Sequence, residues 1–360
     1  MKNKTKPNQY HFKGTKKVKF VLKPKQQHQR WQAAAATATA TKRNWLDLPS
    51  DVTANILSRV GVFDILENVQ KVCTTWYQIC KDPTFWRVVS IDNSSNLIGL
   101  SVCSNVVKHV VTRSQGQLVD ISMKEVCDKY LLQFIADRSP QLRRLEIIYG
   151  VGEMYVVWRE SLKKLALLEE LSLFETEFSD KDIKAAGRYC PLLTSLKVNE
   201  KPYIFCNDHV NDEQYMSDRN AFAVAIGKNL PDLRHLELIG NTMTNTGLKA
   251  ILDGCRHLES LDLRQVLYID LKGALGKRCS EQIKHLKLPH DSLEGFQYLD
   301  ENVDAPCDVT SESDLQGYGD PFYPGFDYED PDDDCDENDY VEDFILLHEA
   351  MAFMAMYRDR

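Results

Sequence analysis

Leu48-Pro49-Ser50-Asp51-Val52-Thr53-Ala54-Asn55-Ile56-Leu57-Ser58 opens a stretch, residues 48–92, whose apolar positions recur at helical spacing. Pro49 suits a first helical position, where a missing N–H costs nothing, and Val52, Ile56, Leu57 and Val60 then share one face. A second helix is predicted to open at Asp64 as N-cap with Glu67 three residues on, a reciprocal capping arrangement. Its stripe, Ile65, Leu66, Val69, Val72, Cys73, Trp76, Ile79 and Cys80, runs to Pro83, and Phe85-Trp86 follow. A unit of three short helices cannot bury this much apolar and aromatic surface within itself. The surplus is expected to be covered by another protein.

These residues carry a resemblance. Leu48-Pro49, Asp51-Val52, Ile56-Leu57-Ser58, Asp64-Ile65-Leu66, Val72-Cys73, Trp76, Pro83 and Phe85-Trp86 resemble an F-box over nearly the whole motif. Gly61 departs from it, standing where many members have proline. The resemblance implies docking on the Skp adaptor of an SCF-type ubiquitin ligase and, through that adaptor, on a cullin. The residues expected at that contact are Leu48, Pro49, Ile56, Leu57, Val60, Val72 and Trp76. A generic helical hairpin reproduces the aliphatic periodicity, but it does not require Leu-Pro, Val-Cys, Trp and Pro-x-Phe-Trp in register.

Beyond residue 92 a second pattern takes over. Leu-x-x-Leu-x-Leu occurs as Leu118-Ile121-Met123, Leu142-Leu145-Ile147, Leu168-Leu171-Leu173, Leu193-Leu196-Val198, Leu233-Leu236-Leu238, Leu258-Leu261-Leu263 and Ile283-Leu286-Leu288. Successive first positions are 24, 26, 25, 40, 25 and 25 residues apart, and all but the 40 match the period of leucine-rich repeats. The long interval is one period plus an insertion, placed in the polar stretch 200–218. Val107 and Val110 suggest a degenerate earlier repeat joining the array to the F-box. Helices are predicted over 128–137, 180–189 and 244–254. The expected fold class is therefore α/β: an N-terminal three-helix F-box followed by a solenoid of short parallel strands alternating with helices.

Cys190 and Cys255 stand three residues before a template leucine and Cys279 four before Ile283, where Leu165 and Leu230 stand in other repeats. This resembles the cysteine-containing repeats of F-box proteins, in the short-repeat style of plant members. A small apolar thiol fits the helix-to-strand turn. Metal binding by Cys255 with His257, or Cys279 with His285, is the sharper alternative.

The chain's net charge of −9 conceals two opposed tails. Residues 1–43 hold 12 Lys and Arg and no acid, whereas residues 291–360 hold 22 acidic and 2 basic residues. The expected division is a basic disordered arm with an Ala/Thr linker (1–43), the F-box (44–92), the repeats (93–290), an acidic disordered segment (291–343) and a C-terminal helix (344–360) that either caps the open end of the repeats, the favoured reading, or binds a partner. The patch Lys13-Gly14-Thr15-Lys16-Lys17-Val18-Lys19 reads as an import signal, a nucleic-acid contact or a solvated tail. An organelle transit peptide favours Arg and Ser, and up to Arg30 this arm has one Arg and no Ser. No run of 18 apolar residues or basic-then-apolar leader appears, so neither a membrane span nor export is expected. The ten cysteines are then expected as reduced thiols, with the protein in nucleus or cytoplasm.

No nucleophile elbow, phosphate-binding loop, zinc-protease helix or dinucleotide fingerprint is present, and no cysteine stands out as a reactive thiol. The chain reads as a non-catalytic adaptor without cofactor or metal. Strand residues alternate in direction, so Arg144, Glu146, Glu170, Phe174, Lys197, His235, Glu237, Asp262, Arg264, His285 and Lys287 are expected on the concave face as candidates for substrate binding. Their mixed charge suits a protein ligand rather than nucleic acid, which calls for one basic face. Three readings stand: a substrate receptor of an SCF-type ligase, an F-box scaffold that delivers no substrate, and a nucleic-acid-associated repeat protein using its basic arm.

Overall fold

The computed structural model describes residues 45–94, 98–201 and 213–296, and these fall in two units divided between Pro49 and Ser50. The basic arm, most of the acidic segment and the capping helix expected at 344–360 lie outside the described residues. Of the first unit, only residues 45–49 are described. They form a 3-10 turn, Trp45–Asp47, closed by Leu48 N–H donating to the Trp45 carbonyl.

The second unit opens with α1 (Ser50–Leu57), α2 (Val62–Glu67) and α3 (Thr74–Lys81), with 3-10 turns at Val69–Lys71 and Pro83–Trp86. Two expectations are corrected here. Asp64 does not cap α2. Gly61 is the N-cap, its carbonyl accepting from Ile65 N–H, while Asp64 sits in the first turn and accepts from the Asn68 side chain. The long stripe predicted as one helix is also broken, with Cys73 extended at φ −160° as the N-cap of α3. Thr74 and Thr75 after it are β-branched and favour helix weakly, and the fold-back brings Val69 and Ile79 into one core.

All seven predicted template strands are present. They are β2 (Asp120–Lys124), β3 (Arg144–Ile148), β4 (Glu170–Phe174), β5 (Ser195–Asn199), β6 (His235–Glu237), β7 (Ser260–Asp262) and β8 (His285–Lys287). With β1 (Val88–Asp92) they form one parallel sheet in sequential order. Register aligns Val89, Ile121, Leu145, Leu171, Leu196, Leu236, Leu261 and Leu286 along one row. The degenerate first repeat exists, but not with the expected strand. Val107 and Val110 lie on its helix, α4 (Leu100–Arg113), and the strand is Val88–Asp92, inside the stretch assigned to the F-box. Trp86, Val89 and Ile91 repeat the template with tryptophan in the first leucine position, which hides the match from a leucine search.

The remaining helices are α5 (Lys129–Arg138), α6 (Trp158–Lys164), α7 (Asp180–Tyr189), α8 (Glu213–Asn229), α9 (Asn245–Gly254) and α10 (Ala274–Gln282). Three fall where the sequence puts them, started by side chains that satisfy orphan N–H groups: Asp128 accepts from Leu131 N–H, Ser179 and Asp182 form a capping box, and Thr244 accepts from Thr246 N–H. Helix α8 takes up the end of the polar insertion, and residues 202–212 lie outside the described set. Adjacent helices approach so closely at Gly187, Gly227 and Gly254 that an added Cβ would overlap neighbouring backbone. One apolar core runs from Leu57 to Ile283.

Two of the three recurring cysteines sit at the helix-to-strand turns as expected, whereas Cys279 lies inside α10, one turn before its end. Cys190 and Cys255 end α7 and α9, fully enclosed, with thiols directed at the carbonyls of Leu162 and Leu230 in the preceding repeat.

Candidate protein-interaction surfaces

The F-box helices divide their apolar residues between an inward and an outward set. Thr53 and Leu57 of α1 are buried, with Ala54 and Val60 packed against the same core, while Val52 and Ile56 point outward at 40% and 36% exposure. A helix turns about 100° per residue, so a stripe read as one face is here two. Val72 at 60% and Tyr77 at 38% are exposed as well. Among the residues expected at an adaptor contact, Ile56 and Val72 are open to solvent, and Leu48 and Pro49 are exposed in the first unit. Val60 and Trp76 are half-buried. Leu57 is corrected: at 3% exposure it is a core residue that supports α1 and offers a partner almost nothing. Val52 and Tyr77 are the outward residues that the sequence reading did not assign; Val52 was legible as the i−4 neighbour of Ile56.

The sheet's other face carries the second surface, and register arranges it in rows. The first row is Asp120, Arg144, Glu170, Ser195, His235, Ser260 and His285; the next is Ser122, Glu146, Ser172, Lys197, Glu237, Asp262 and Lys287. A third begins Lys124, Ile148, Phe174, Asn199, and Arg264 lies just past β7. The expected phase of the concave residues therefore holds.

Their charges are largely spent on one another. Arg144 bridges Asp120 (2.9 Å), Glu146 (2.9 Å) and Glu170 (3.6 Å), and Glu170 also receives Lys197 (2.8 Å). Ser122 donates to Glu146 (2.6 Å), and Asn199 donates to Glu237 (2.6 Å). Burial pushes the Glu237 carboxyl upward despite that bond. Burial acts on Asp262 in the same sense, but hydrogen bonds from Arg264 and Lys287 outweigh it and hold this carboxyl below its ordinary range.

Four expected ligand-facing residues are not open: Glu146, Phe174, Asp262 and Arg264 are all buried. Periodicity gives a side chain's direction but not what lies over it. Phe174 is met edge-to-face by Tyr149 at 5.2 Å and by Phe296 at 5.6 Å. Arg264 grips the Asp262 carboxylate through Nε and Nη2 and donates through Nη1 to the Ser292 carbonyl (3.0 Å). Glu170, Lys197, His235, Glu237, His285 and Lys287, with Arg144, stay at least partly accessible. Tyr149, Lys201 and Phe296 belong to this surface but not to the repeat template, so spacing alone did not single them out.

Burial pushes the thiols of Cys190 and Cys255 up to about 12 and that of Cys103 up to about 11. Such thiols stay protonated at neutral pH and are inert. Among the described residues no group of three or more His, Cys, Asp or Glu is placed to hold a metal, and no helix is long and apolar enough to cross a membrane.

The F-box domain model matches residues 45–88. F-box protein SKIP19 of Arabidopsis thaliana is 37% identical over 293 residues, covering 79% of this chain and 92% of that protein. F-box/LRR-repeat protein 22 of the same plant is 39% identical, covering 71% of this chain and 80% of its own. The chain belongs to the F-box/LRR-repeat family. F-box/LRR-repeat protein 23 of Arabidopsis thaliana is 42% identical over 254 residues, 69% of this chain, but the chain spans only 54% of that relative's length. Among solved structures, the yeast Rad7 and Elc1 complex matches with a TM-score of 0.34 and 12% identity, over 73% of this chain and 83% of that one. For this F-box/LRR-repeat protein the family match and the observed sheet agree on where the modules meet: the matched F-box ends at residue 88, where β1 begins.

Proposed function

We propose that this protein is the substrate-recognition subunit of an SCF-type ubiquitin ligase, attached by its F-box to a Skp adaptor and thereby to a cullin, with a protein substrate on the concave face of the repeats. The observation that carries the reading is the division of the F-box helices. Their inward residues are committed to the core, while Val52, Ile56, Val72 and Tyr77 remain exposed apolar anchors within the matched motif. A few buried anchors supply most of an interface's energy, and tyrosine is among the residue types enriched there. In this reading the chain supplies no reacting group. It holds a substrate near a ubiquitin thioester carried by another subunit, and the rate gain comes from effective concentration.

The test is co-purification of the full chain with a Skp adaptor, a cullin and polyubiquitinated proteins. Recovery of all three supports the reading. Recovery of adaptor and cullin, with no protein whose ubiquitination falls when the chain is removed, makes the protein a scaffold instead. The basic arm is proposed to direct the protein to the nucleus, so deleting residues 1–43 should shift a fluorescent fusion to the cytoplasm without loss of adaptor binding.

A further inference from the structure

We propose that the concave face carries a subsite for an aromatic side chain presented by an acidic protein segment, built from Tyr149, Phe174 and Arg264, and that Phe296 of this chain occupies it in cis. Residues 289–296 follow the last strand and belong to no repeat, yet they turn back over the sheet. Pro289 accepts from Gln265 N–H (2.9 Å), and Ser292 accepts from Arg264 (3.0 Å). Gly295, at φ +79° with open space where a Cβ would stand, makes the turn that carries Phe296 inward. Its ring then meets Phe174 of β4, a strand separated from β8 by three others.

The receiving site is more than a hydrophobic spot. Tyr149 stands edge-on to Phe174, held there by a left-handed backbone (φ +56°) whose N–H donates to the Phe174 carbonyl (2.8 Å). The Arg264 guanidinium lies 5.8 Å from the Phe296 ring and the Lys201 ammonium 5.2 Å from the Tyr149 ring. Cations over aromatic faces favour an aromatic guest; the Arg264 charge is already paired with Asp262, so Lys201 is the cation left to draw acidic neighbours with it. The resident segment has that chemistry, with Asp291 and Glu294 beside Phe296. The segment is open to solvent at Asp291, Ser292, Glu294 and Gly295, and Leu293 and Phe296 are half-buried, so it can exchange with a competing segment. A ligand that repeats an aromatic among acids can therefore replace it, while without a ligand the ring shields Phe174 from water.

The inference rests on the concave face being the ligand face, and its test reads peptide binding separately from adaptor binding. The probes are a fluorescent peptide of residues 288–296, whose only aromatic is Phe296, and the same peptide with Phe296→Ala, titrated onto the full chain and onto its Phe296→Ala variant. The variant chain should bind the native peptide at least tenfold more tightly than the unaltered chain does. The alanine peptide should bind neither, and adding Phe174→Leu, which keeps an apolar filler, should remove most of the gain. Equal affinity of both chains for the native peptide, or of both peptides for the variant, overturns the subsite. So does a variant that merely melts at lower temperature without gaining peptide affinity, which would make residues 289–296 a structural cap only. If adaptor binding persists in the same preparation, the proposed function survives that failure.

Discussion

Replacing Val52, Ile56 and Val72 together by alanine should remove most of the affinity for a Skp adaptor, and the structure sets the scale. Full burial of a Val or Ile side chain is worth about 1.5–3 kcal/mol. The three keep 40%, 36% and 60% of their surface exposed in the free chain, so together they have roughly 2–4 kcal/mol still to gain by burial against a partner. That corresponds to a weakening of roughly 30- to 700-fold. Leu57 provides the contrast. With 3% exposed it has almost nothing left to bury, so Leu57→Ala should lower stability by about 2–5 kcal/mol and leave the affinity of the folded protein unchanged. Titration calorimetry against a purified adaptor, with circular dichroism to verify folding, separates the two classes. Undiminished affinity in a folded triple variant would refute the reasoning, as would a Leu57→Ala protein that is folded yet binds as poorly as the triple.

Leu236→Ala and Leu261→Ala, at fully buried template positions, should each cost about 2–5 kcal/mol in urea unfolding. Glu237→Gln should instead stabilise at pH 7: burial raises this carboxyl's pKa in the native state, so ionisation costs the fold as pH rises through the carboxylate range, and the gain should shrink on acidification. His109 is lowered to about 4 by burial and by Arg113, against about 6.5 unfolded. Its contribution is therefore present above pH 6.5 and lost as pH falls towards 4, and His109→Gln should flatten unfolding midpoints measured between those limits. Gly254→Ala, whose Cβ would overlap the Gly227 carbonyl, should destabilise by about 1–3 kcal/mol despite better helix propensity. Gly61→Pro, at φ −60° and open to solvent, should gain about 0.4–1 kcal/mol in urea unfolding.

The repeat fold was legible because a strand in a solenoid buries every second residue against identical neighbours, so Leu145, Leu171, Leu196, Leu236 and Leu261 mark their strands by spacing alone. Where the buried residue is not aliphatic, the signal fades, and Trp86 concealed the first repeat. The F-box was legible through its motif, but the division of α1 into core and outward residues was not. The offset between Leu57 and Ile56 is one residue, and only packing decides which of them faces the core. On the concave face the sequence fixes direction through the two-residue period and remains silent about tertiary cover. Phe296 lies far from Phe174 in sequence, and no periodicity relates them.

The joint between the F-box helices and the repeats bears on how such a protein would work. Trp86 closes the F-box motif and fills the first template position of the array, buried with its indole N–H on the Cys80 carbonyl (2.8 Å). Arg113 at the end of α4 lies over its ring (5.9 Å) and donates to Gln70 between α2 and α3 (3.1 Å). One residue separates Trp86 from β1, so no linker intervenes and a shared core spans the junction. A flexible tether would spread a bound substrate over a large volume and dilute it at any distant reacting group. A joint made by a shared core residue keeps the concave face at a fixed angle to α1 and α3. In a complex that acts through proximity, that fixed angle would select which part of a bound substrate reaches the thioester, and the geometry would contribute to specificity alongside the concave face's own contacts.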